Sequence, residues 1–183
     1  MEIRDERPED IAEIDEVHGQ AFGAGHGQVV AELTRALRSR FLPDRGLSLV
    51  AQDAGQIIGH VLFTRALLDA PRRLVEVQVL SPVGVLPGYQ KQGVGSALIR
   101  RGLDILADRG VPLVFLEGSP GYYPRLGFVH GGDLGFRKPS LRIPGPAFQV
   151  YRLPAAEPWM SGTLVYPDVF WERYCVGLRD LEI

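Results

Sequence analysis

Residues 83–98 read VGVLPGYQKQGVGSAL, and this stretch decides how the rest of the chain is interpreted. An apolar strand passes through a glycine-containing turn directly into a helix. The first backbone N–H groups of a helix have no acceptor within it and lie at its positive end. Gly93 and Gly95 remove side chains that would cover those donors. The pattern is typical of a phosphate or pyrophosphate site, although such glycines can also pack a helix tightly on a sheet.

Two common phosphate-binding loops do not fit the spacing of these glycines. The nucleotide triphosphate loop needs G-x-x-x-x-G-K-[ST], but here Val94 follows Gly93. The dinucleotide loop needs G-x-G-x-x-[GA], but here Leu98 occupies the last place. The pattern that is present is Q-x-x-G-x-G, from Gln90 to Gly95. It resembles the acetyl-CoA pyrophosphate loop [QR]-x-x-G-x-[GA] of the GCN5-related N-acetyltransferase (GNAT) superfamily.

A second segment strengthens this resemblance. Residues 112–128 read PLVFLEGSPGYYPRLGF, a buried strand followed by a match to the family's Y-x-x-x-G-F signature at residues 123–128. The doubled tyrosine, together with the run GTLVYPDVF at residues 162–170, resembles the YhbS-like bacterial branch of the superfamily. The resemblance covers most of the chain, from about residue 3 to residue 170.

Hydrophobic periodicity predicts an α/β protein. Helices are predicted at residues 8–22, 28–40 and 93–109, and strands at residues 47–52, 56–67, 74–86, 112–117 and 148–153. The odd-numbered valines between Val75 and Val85 predict one buried face for the long strand, which Pro82 should bulge or break.

The resemblance implies the GNAT fold, a single mixed central sheet with splayed strands flanked by helices. Residues 1–153 would form the acyl-CoA-binding acetyltransferase domain. Residues 154–183 would form an irregular C-terminal extension packed on that domain, with no sheet strand after residue 153. The aromatic side chains of this extension would add to the core, line an acceptor pocket or form a dimer contact.

Composition and charge exclude several classes of protein. The 183 residues include 20 Lys+Arg and 22 Asp+Glu, a formal net charge of −2, whereas a general nucleic-acid binder needs a basic surplus. The single cysteine, Cys175, excludes a disulfide framework and has no neighbour that would activate it. No metal site is predicted. No apolar run could cross a bilayer, and the N-terminus lacks a signal peptide's apolar core, so we expect a soluble cytoplasmic protein. Its oligomeric state is left open, with a homodimer as the commonest option.

The resemblance implies acetyl-CoA as co-substrate and assigns places to its parts. In the family, the pantetheine arm lies between the strand before the loop and the strand after the long helix, like an added strand. Backbone groups near Val83 and Val85 would hold pantetheine, and N–H groups between Gln90 and Ser96 would hold the pyrophosphate. The implied cofactor contacts are Val83, Val85, Gln90, Lys91, Gln92, Gly93, Val94, Gly95, Ser96 and Ser119. Lys91 would either face the phosphates or remain a solvated loop lysine.

The implied reaction is transfer of the acetyl group to a primary amine of a small molecule or peptide, by direct attack on the thioester. The oxyanion formed in this attack needs a donor, for which a backbone N–H near Val83 is suited. The leaving thiolate needs an acid, and Tyr123 matches the family's tyrosine with that role. A phenol with a pKa of about 10 can donate to a thiolate at neutral pH. Alternatively, Tyr123 is a structural aromatic that closes over the cofactor.

The sequence does not single out the general base that the amine requires. Glu76 is predicted on the strand face opposite the valines, and Glu117 ends the next strand, but each also fits an exposed, capping or ion-paired role. His60 and His130 are weaker candidates because a single histidine is more often structural. His26 lies in a loop that borders the acceptor site in this family. Since no base is evident, the alternative function is a non-catalytic acyl-CoA sensor or interaction module on the same fold.

Overall fold

A mixed sheet forms the framework of the computed structural model, which describes residues 1–41 and 45–178. Its nine strands in the described residues are β1 (Glu2–Asp5), β2 (Gly46–Asp53), β3 (Gln56–Asp69), β4 (Leu74–Val85), β5 (Leu113–Glu117), β6 (Val129–His130), β7 (Phe136–Arg137), β8 (Phe148–Arg152) and β9 (Gly162–Val165). Their hydrogen-bonded order is β1-β2-β3-β4-β5-β8-β6, and β9 pairs with β3 and β7. The β4–β5 and β7–β9 pairs are parallel. This is the mixed α/β sheet that the resemblance implies.

Four α-helices accompany the sheet in the described residues. They are α1 (Ile11–Phe22), α2 (His26–Phe41), α3 (Val94–Asp108) and α4 (Asp168–Glu172). The helix predicted to start at Pro8 begins with a 3-10 turn, Pro8–Asp10, before α1. Proline fits this first turn because it has no N–H to leave unpaired. The Asp10 carboxylate accepts a hydrogen bond from the Arg7 N–H at 2.7 Å and forms an ion pair with Arg4 at 2.7 Å. These two contacts fix the start of α1.

The described chain consists of two compact units. The first comprises Met1–Thr64 and Leu80–Ile105, and the second comprises Arg65–Val79 and the chain from Leu106 onward. In the first unit, β1, β2 and the start of β3 form an antiparallel meander, with Leu49 opposite Val61. The domain boundary expected between residues 153 and 154 stays a prediction.

The second unit is organised around β5. Gln78 and Val79 of β4 pair with Val114 and Phe115, whereas β5 pairs with β8 along all of its residues. The ladder between β4 and β5 is thus limited to two residue pairs, as is expected of two parallel strands that diverge. The C-terminal segment is more regular than predicted, because β9 adds a strand beyond residue 153 and α4 follows it. Strands this short depend on pairing partners rather than on their own periodicity, so the sequence did not indicate β9.

The long strand β4 differs from its prediction in one respect. It continues through Pro82 without a break. Val75, Val77 and Val79 are buried as expected, but Gln78, Leu80 and Pro82 are buried as well. From Pro82 onward the buried positions are even-numbered, so the expected single buried face does not extend along the whole strand. A reversal of this kind is what a strand irregularity produces. As a result, Val83 and Val85 are half-buried instead of belonging to the core.

Candidate active site

The loop between β4 and α3 has an unusual backbone. A 3-10 turn, Pro87–Tyr89, follows β4, and an exposed segment then leads into α3. Lys91 and Gly93 both have left-handed backbones, with φ of 60° and 87°. Such residues help a loop to turn its N–H groups toward one concave side, a feature of anion-binding loops. A Cβ at Gly93 would meet no atom within 4 Å, so its φ, not lack of space, explains the glycine.

The start of α3 presents donors that the helix itself cannot satisfy. The Ala97 N–H donates to the Gly93 carbonyl at 2.9 Å, which closes the first turn. The N–H groups of Val94 and Gly95 precede this bond and therefore have no acceptor within the helix. They lie at the positive end of the helix dipole, which favours an anionic ligand. The loop predicted to hold a pyrophosphate thus has the backbone geometry for it.

Two glutamine side chains fasten this loop to the backbone around it. The Gln90 Nε2 donates to the Val85 carbonyl at 3.0 Å, and the Gln92 Nε2 donates to the Gly88 carbonyl at 2.8 Å. Both amide groups therefore stabilise the loop, and a cofactor contact from these residues would come from their backbone. The Lys91 side chain is exposed.

A chain of polar side chains lies inside the first unit. Arg38 donates to the Glu6 carboxylate, and so does the Ser48 hydroxyl. The Ser48 Oγ is also 2.8 Å from the His60 Nε2, and the His60 Nδ1 is 2.7 Å from the His18 Nε2. Both imidazoles are fully buried. Sequence reasoning treated His60 as a single structural histidine and missed His18, because the five residues lie on separate parts of the chain.

The carboxylate of Glu6 makes the stability that this chain of polar side chains provides depend on pH. Although burial acts to raise it, hydrogen bonds from His60, Arg38 and Ser48 hold the pKa of Glu6 at about 2. As the pH falls, Glu6 therefore becomes protonated at a higher pH in the unfolded chain than in the folded chain. The stabilisation that Glu6 provides above about pH 5 is lost as the pH falls toward 2. After allowance for solvent screening this contribution is roughly 2 kcal/mol.

We expect Glu6→Gln to lower the free energy of unfolding by about 2 kcal/mol at pH 7, because the amide cannot supply the charge that Arg38 requires. The variant should also lose most of the decline in stability between pH 5 and pH 2. Urea unfolding at several pH values measures both effects. Glu16→Gln, at an exposed position of α1, is the control and should keep the wild-type acid profile. Equal acid profiles for wild type and Glu6→Gln would contradict the assignment.

In the second unit, the Y-x-x-x-G-F signature fixes the ring of Tyr123. A Cβ at Gly118 would lie 2.2 Å from this ring, so glycine permits a contact that no other residue allows. The ring also packs edge-on against Phe128, with centroids 5.7 Å apart. Gly127 ends the 3-10 turn in a left-handed conformation, with φ of 95°. The Tyr, Gly and Phe of the signature therefore each have a structural role.

The phenol of Tyr123 is in its protonated form at neutral pH. Burial raises the pKa of Tyr123 well above its ordinary value, and the neighbouring Tyr122 contributes in the same direction. Its hydroxyl has no hydrogen-bond partner within residues 1–41 and 45–178. The phenol proton is therefore present on Tyr123 at neutral pH, and the raised pKa makes this phenol a weaker acid than a free tyrosine. Its role as the acid of the reaction stays a prediction.

Both carboxylates predicted as bases are engaged with neighbours. Glu117 accepts a hydrogen bond from the Gly177 N–H at 3.0 Å and another from the Tyr166 hydroxyl. Burial raises the pKa of Glu117, and these hydrogen bonds partly offset that effect. Glu76 is mostly exposed and forms an ion pair with Arg65 at 2.9 Å. Their roles as bases stay predictions.

The remaining candidates occupy turn or surface positions. The Ser119 Oγ accepts from the Gly121 N–H at 3.3 Å, so this hydroxyl caps a turn and its cofactor contact stays a prediction. His130 is 3.0 Å from Asp133, and His26 is exposed. Burial raises the pKa of Cys175, which disfavours a reactive thiolate.

The structure also bears on metal binding and membrane insertion. Within residues 1–41 and 45–178, no group of three or more His, Cys, Asp or Glu side chains could hold a metal ion. No helix in this part of the chain is long and apolar enough to cross a membrane.

Comparison with known proteins identifies the family. A sequence model described as an acetyltransferase (GNAT) domain matches residues 2–131. The uncharacterized N-acetyltransferase YjhQ of Escherichia coli K12 is 39% identical over 132 residues, which make up 71% of each protein. Because the family model and this relative both cover more than two thirds of the chain, the match extends far beyond the two short motifs.

Two solved structures agree with this result. The GNAT N-acetyltransferase YhbS of Escherichia coli, in complex with CoA, has a TM-score of 0.83 and 31% identity, and the match covers 97% of this chain and 95% of YhbS. A GNAT acetyltransferase of Brucella melitensis, in complex with acetyl-CoA, has a TM-score of 0.72 and 35% identity, over 92% of this chain and 97% of that one. The chain belongs to the GNAT family of acyl-CoA-dependent acetyltransferases, as its sequence motifs predicted.

Proposed function

We propose that this GNAT protein transfers the acetyl group of acetyl-CoA to a primary amine of a small molecule or peptide. The observation that carries the proposal is the loop before α3, where left-handed residues and unsatisfied helix N–H groups form a cradle for a diphosphate. The CoA and acetyl-CoA complexes of the two related structures support acetyl-CoA as co-substrate.

In this proposal the backbone from Gln90 to Ser96 binds the pyrophosphate, and the backbone near Val83 and Val85 binds pantetheine and the oxyanion. The neutral amine attacks the thioester carbon, the C–S bond breaks, and the thiolate receives the phenol proton of Tyr123. The phenolate then regains a proton from the attacking nitrogen, which carries two protons and a positive charge until it gives one up, so the products are the neutral amide and the thiol and the enzyme returns to its starting state. Each group acts on charge that develops during transfer, as transition-state stabilisation requires.

Thermal unfolding with and without acetyl-CoA tests binding, and an assay of thiol release over a panel of primary amines tests transfer. A ligand at 100 times its Kd should stabilise the folded protein by about 2.7 kcal/mol. No stabilisation at millimolar acetyl-CoA would contradict the proposal. Stabilisation without thiol release from any amine would instead support the alternative, a non-catalytic acyl-CoA sensor. The engagement of Glu76 and Glu117 with other groups favours this alternative.

We expect Gly93→Ala to weaken acetyl-CoA binding by about tenfold. A φ of 87° costs an alanine about 1–2 kcal/mol, so the loop should shift toward a conformation that no longer presents the N–H cradle. Calorimetric titration of acetyl-CoA measures the change. Gly19→Ala is the matched control, since its Cβ would meet no atom within 4 Å and its backbone is helical. Wild-type affinity in Gly93→Ala would show that the left-handed backbone is not needed for binding.

A further inference from the structure

In the chain of polar side chains inside the first unit, the donor and the acceptor of each hydrogen bond can be assigned in turn. Ser48 has one hydroxyl proton and donates it to the Glu6 carboxylate. The His60 Nε2 must therefore donate to Ser48, which leaves the His60 Nδ1 as an acceptor. The His18 Nε2–H is then the donor of the bond between the two imidazoles. Because a neutral imidazole carries one proton, the Nδ1 of His18 has a bare lone pair.

This lone pair is a base without a partner in the described residues. The His18 side chain is fully buried, and its Nδ1 is unpaired within them. Burying an unsatisfied acceptor costs about 1–3 kcal/mol, so a structure that only needed stability would be expected to avoid it. The network gives His18 the tautomer that a base needs, as the orienting carboxylate of a catalytic triad does for its histidine.

The orphaned nitrogen lies against the strand that precedes the phosphate loop. A Cβ at Gly84 would be 2.7 Å from the His18 Nδ1, so only glycine at this position leaves room for the ring. Gly84 stands between Val83 and Val85, the residues proposed above to hold the thioester arm. The His18 Nδ1 is thus adjacent to the backbone where the acetyl group is proposed to bind.

We propose that His18 is the general base of acetyl transfer, accepting at Nδ1 the proton that the acceptor ammonium loses, with His60, Ser48 and Glu6 as positioning residues. This inference rests on the proposed function and deepens it, since Glu76 is ion-paired with Arg65 and Glu117 is hydrogen-bonded to Gly177 and Tyr166. The acceptor class it implies is an aliphatic amine, which is protonated at neutral pH and must lose a proton before it can attack.

The proton balance of this step is complete. The acceptor enters as R–NH3⁺, and one proton moves to the His18 Nδ1 to give an imidazolium and R–NH2. The amine lone pair forms the C–N bond, the C–S bond breaks, and the second nitrogen proton is the one finally carried by the CoA thiol. The imidazolium then releases its proton to solvent, so the net products are amide, thiol and one proton.

The electrostatic surroundings suit a base that is neutral at rest. Burial lowers the pKa of His18 well below its ordinary value, and burial likewise lowers that of His60. The charged groups that act on the pair are Glu6, Arg38 and Asp15. His60 and Arg38 oppose a positive charge on His18, and the Glu6 carboxylate favours it.

The test is His18→Gln, whose amide can still donate to His60 but has no base in place of Nδ1. With an aliphatic amine at pH 7 we expect kcat to fall about 100-fold, with unchanged affinity for acetyl-CoA. The deficit should shrink about tenfold per pH unit as the free amine becomes abundant. With hydroxylamine, which is largely neutral at pH 7, the variant should match wild type. Gly19→Ala, the next residue of α1, should keep wild-type kcat.

The outcomes separate this inference from the proposed function. An equal loss of kcat with both nucleophiles, or a pH profile like that of wild type, would show a structural role for His18 and overturn the inference alone. If wild type binds acetyl-CoA but acetylates no amine, the proposed function fails and the inference fails with it. Nitrogen NMR of the imidazoles gives a readout besides activity, because a proton on the His18 Nδ1 of the resting protein would also overturn the inference.

Discussion

Replacement of Tyr123 by phenylalanine should reduce kcat about 1000-fold while leaving the Kd for acetyl-CoA within twofold of wild type. Phenylalanine keeps the ring that packs on Gly118 and Phe128, so the fold of this segment should persist. What the variant lacks is the hydroxyl proton, and loss of a general acid typically costs 10²–10⁴ in rate. Steady-state assays of thiol release, together with calorimetric titration of acetyl-CoA, measure the two quantities separately.

Tyr122→Phe is the matched control, because it removes a hydroxyl from the adjacent aromatic residue and should keep wild-type kcat. A Tyr123→Phe enzyme with normal kcat would exclude the phenol as the acid and leave only its structural role. A thiol of low pKa as leaving group offers a further check, since such a thiolate needs no proton. The deficit of Tyr123→Phe should then nearly disappear.

Replacement of Gly162 by alanine should have the largest effect on stability, a loss of roughly 3–5 kcal/mol. A Cβ at this position would lie 2.0 Å from the Asp69 carbonyl oxygen, which belongs to the backbone and cannot rotate away. The φ of Gly162 is 140°, which adds backbone strain for any residue with a side chain. Overpacking typically costs 1–3 kcal/mol, and strain of this kind costs a similar amount.

Urea unfolding of Gly162→Ala measures this loss against a total stability that is typically 5–15 kcal/mol. Gly145→Ala is the control within the same unit, because its Cβ would come no closer than 3.7 Å to another atom and its φ is not left-handed. The control should stay within about 0.5 kcal/mol of wild type. Wild-type stability in Gly162→Ala would show that the pairing of β9 with β3 is not a rigid contact.

The features that the sequence predicted well are those coded by neighbouring residues. The long helix was expected at residues 93–109 and is observed at Val94–Asp108. The strand after it was expected at residues 112–117 and is observed at Leu113–Glu117. Apolar periodicity, a glycine at each helix end and a short buried run all act over a few residues, so they are visible in the sequence.

The features that the sequence did not show depend on residues distant along the chain. His18 and His60 are separated by 42 positions and make one hydrogen bond only because α1 packs near β3. Each histidine alone fits a structural role, and nothing local indicates that Gly84 would face one of them. The reversal of the buried side of β4 was hidden for a similar reason, since the alternation of valines continues past the point where it occurs.

The contact between Gln90 and the Val85 carbonyl changes what the family's loop motif can be taken to mean. Glutamine and arginine, the two residues that the motif allows at its first place, share a side-chain N–H long enough to reach back to the preceding strand. The side chain at that position would then bind the backbone carbonyl at the end of the preceding strand. It would not contact the thioester or its acyl chain. Engineering of acyl preference should accordingly keep this residue fixed and vary the side chains around Val83 and Val85.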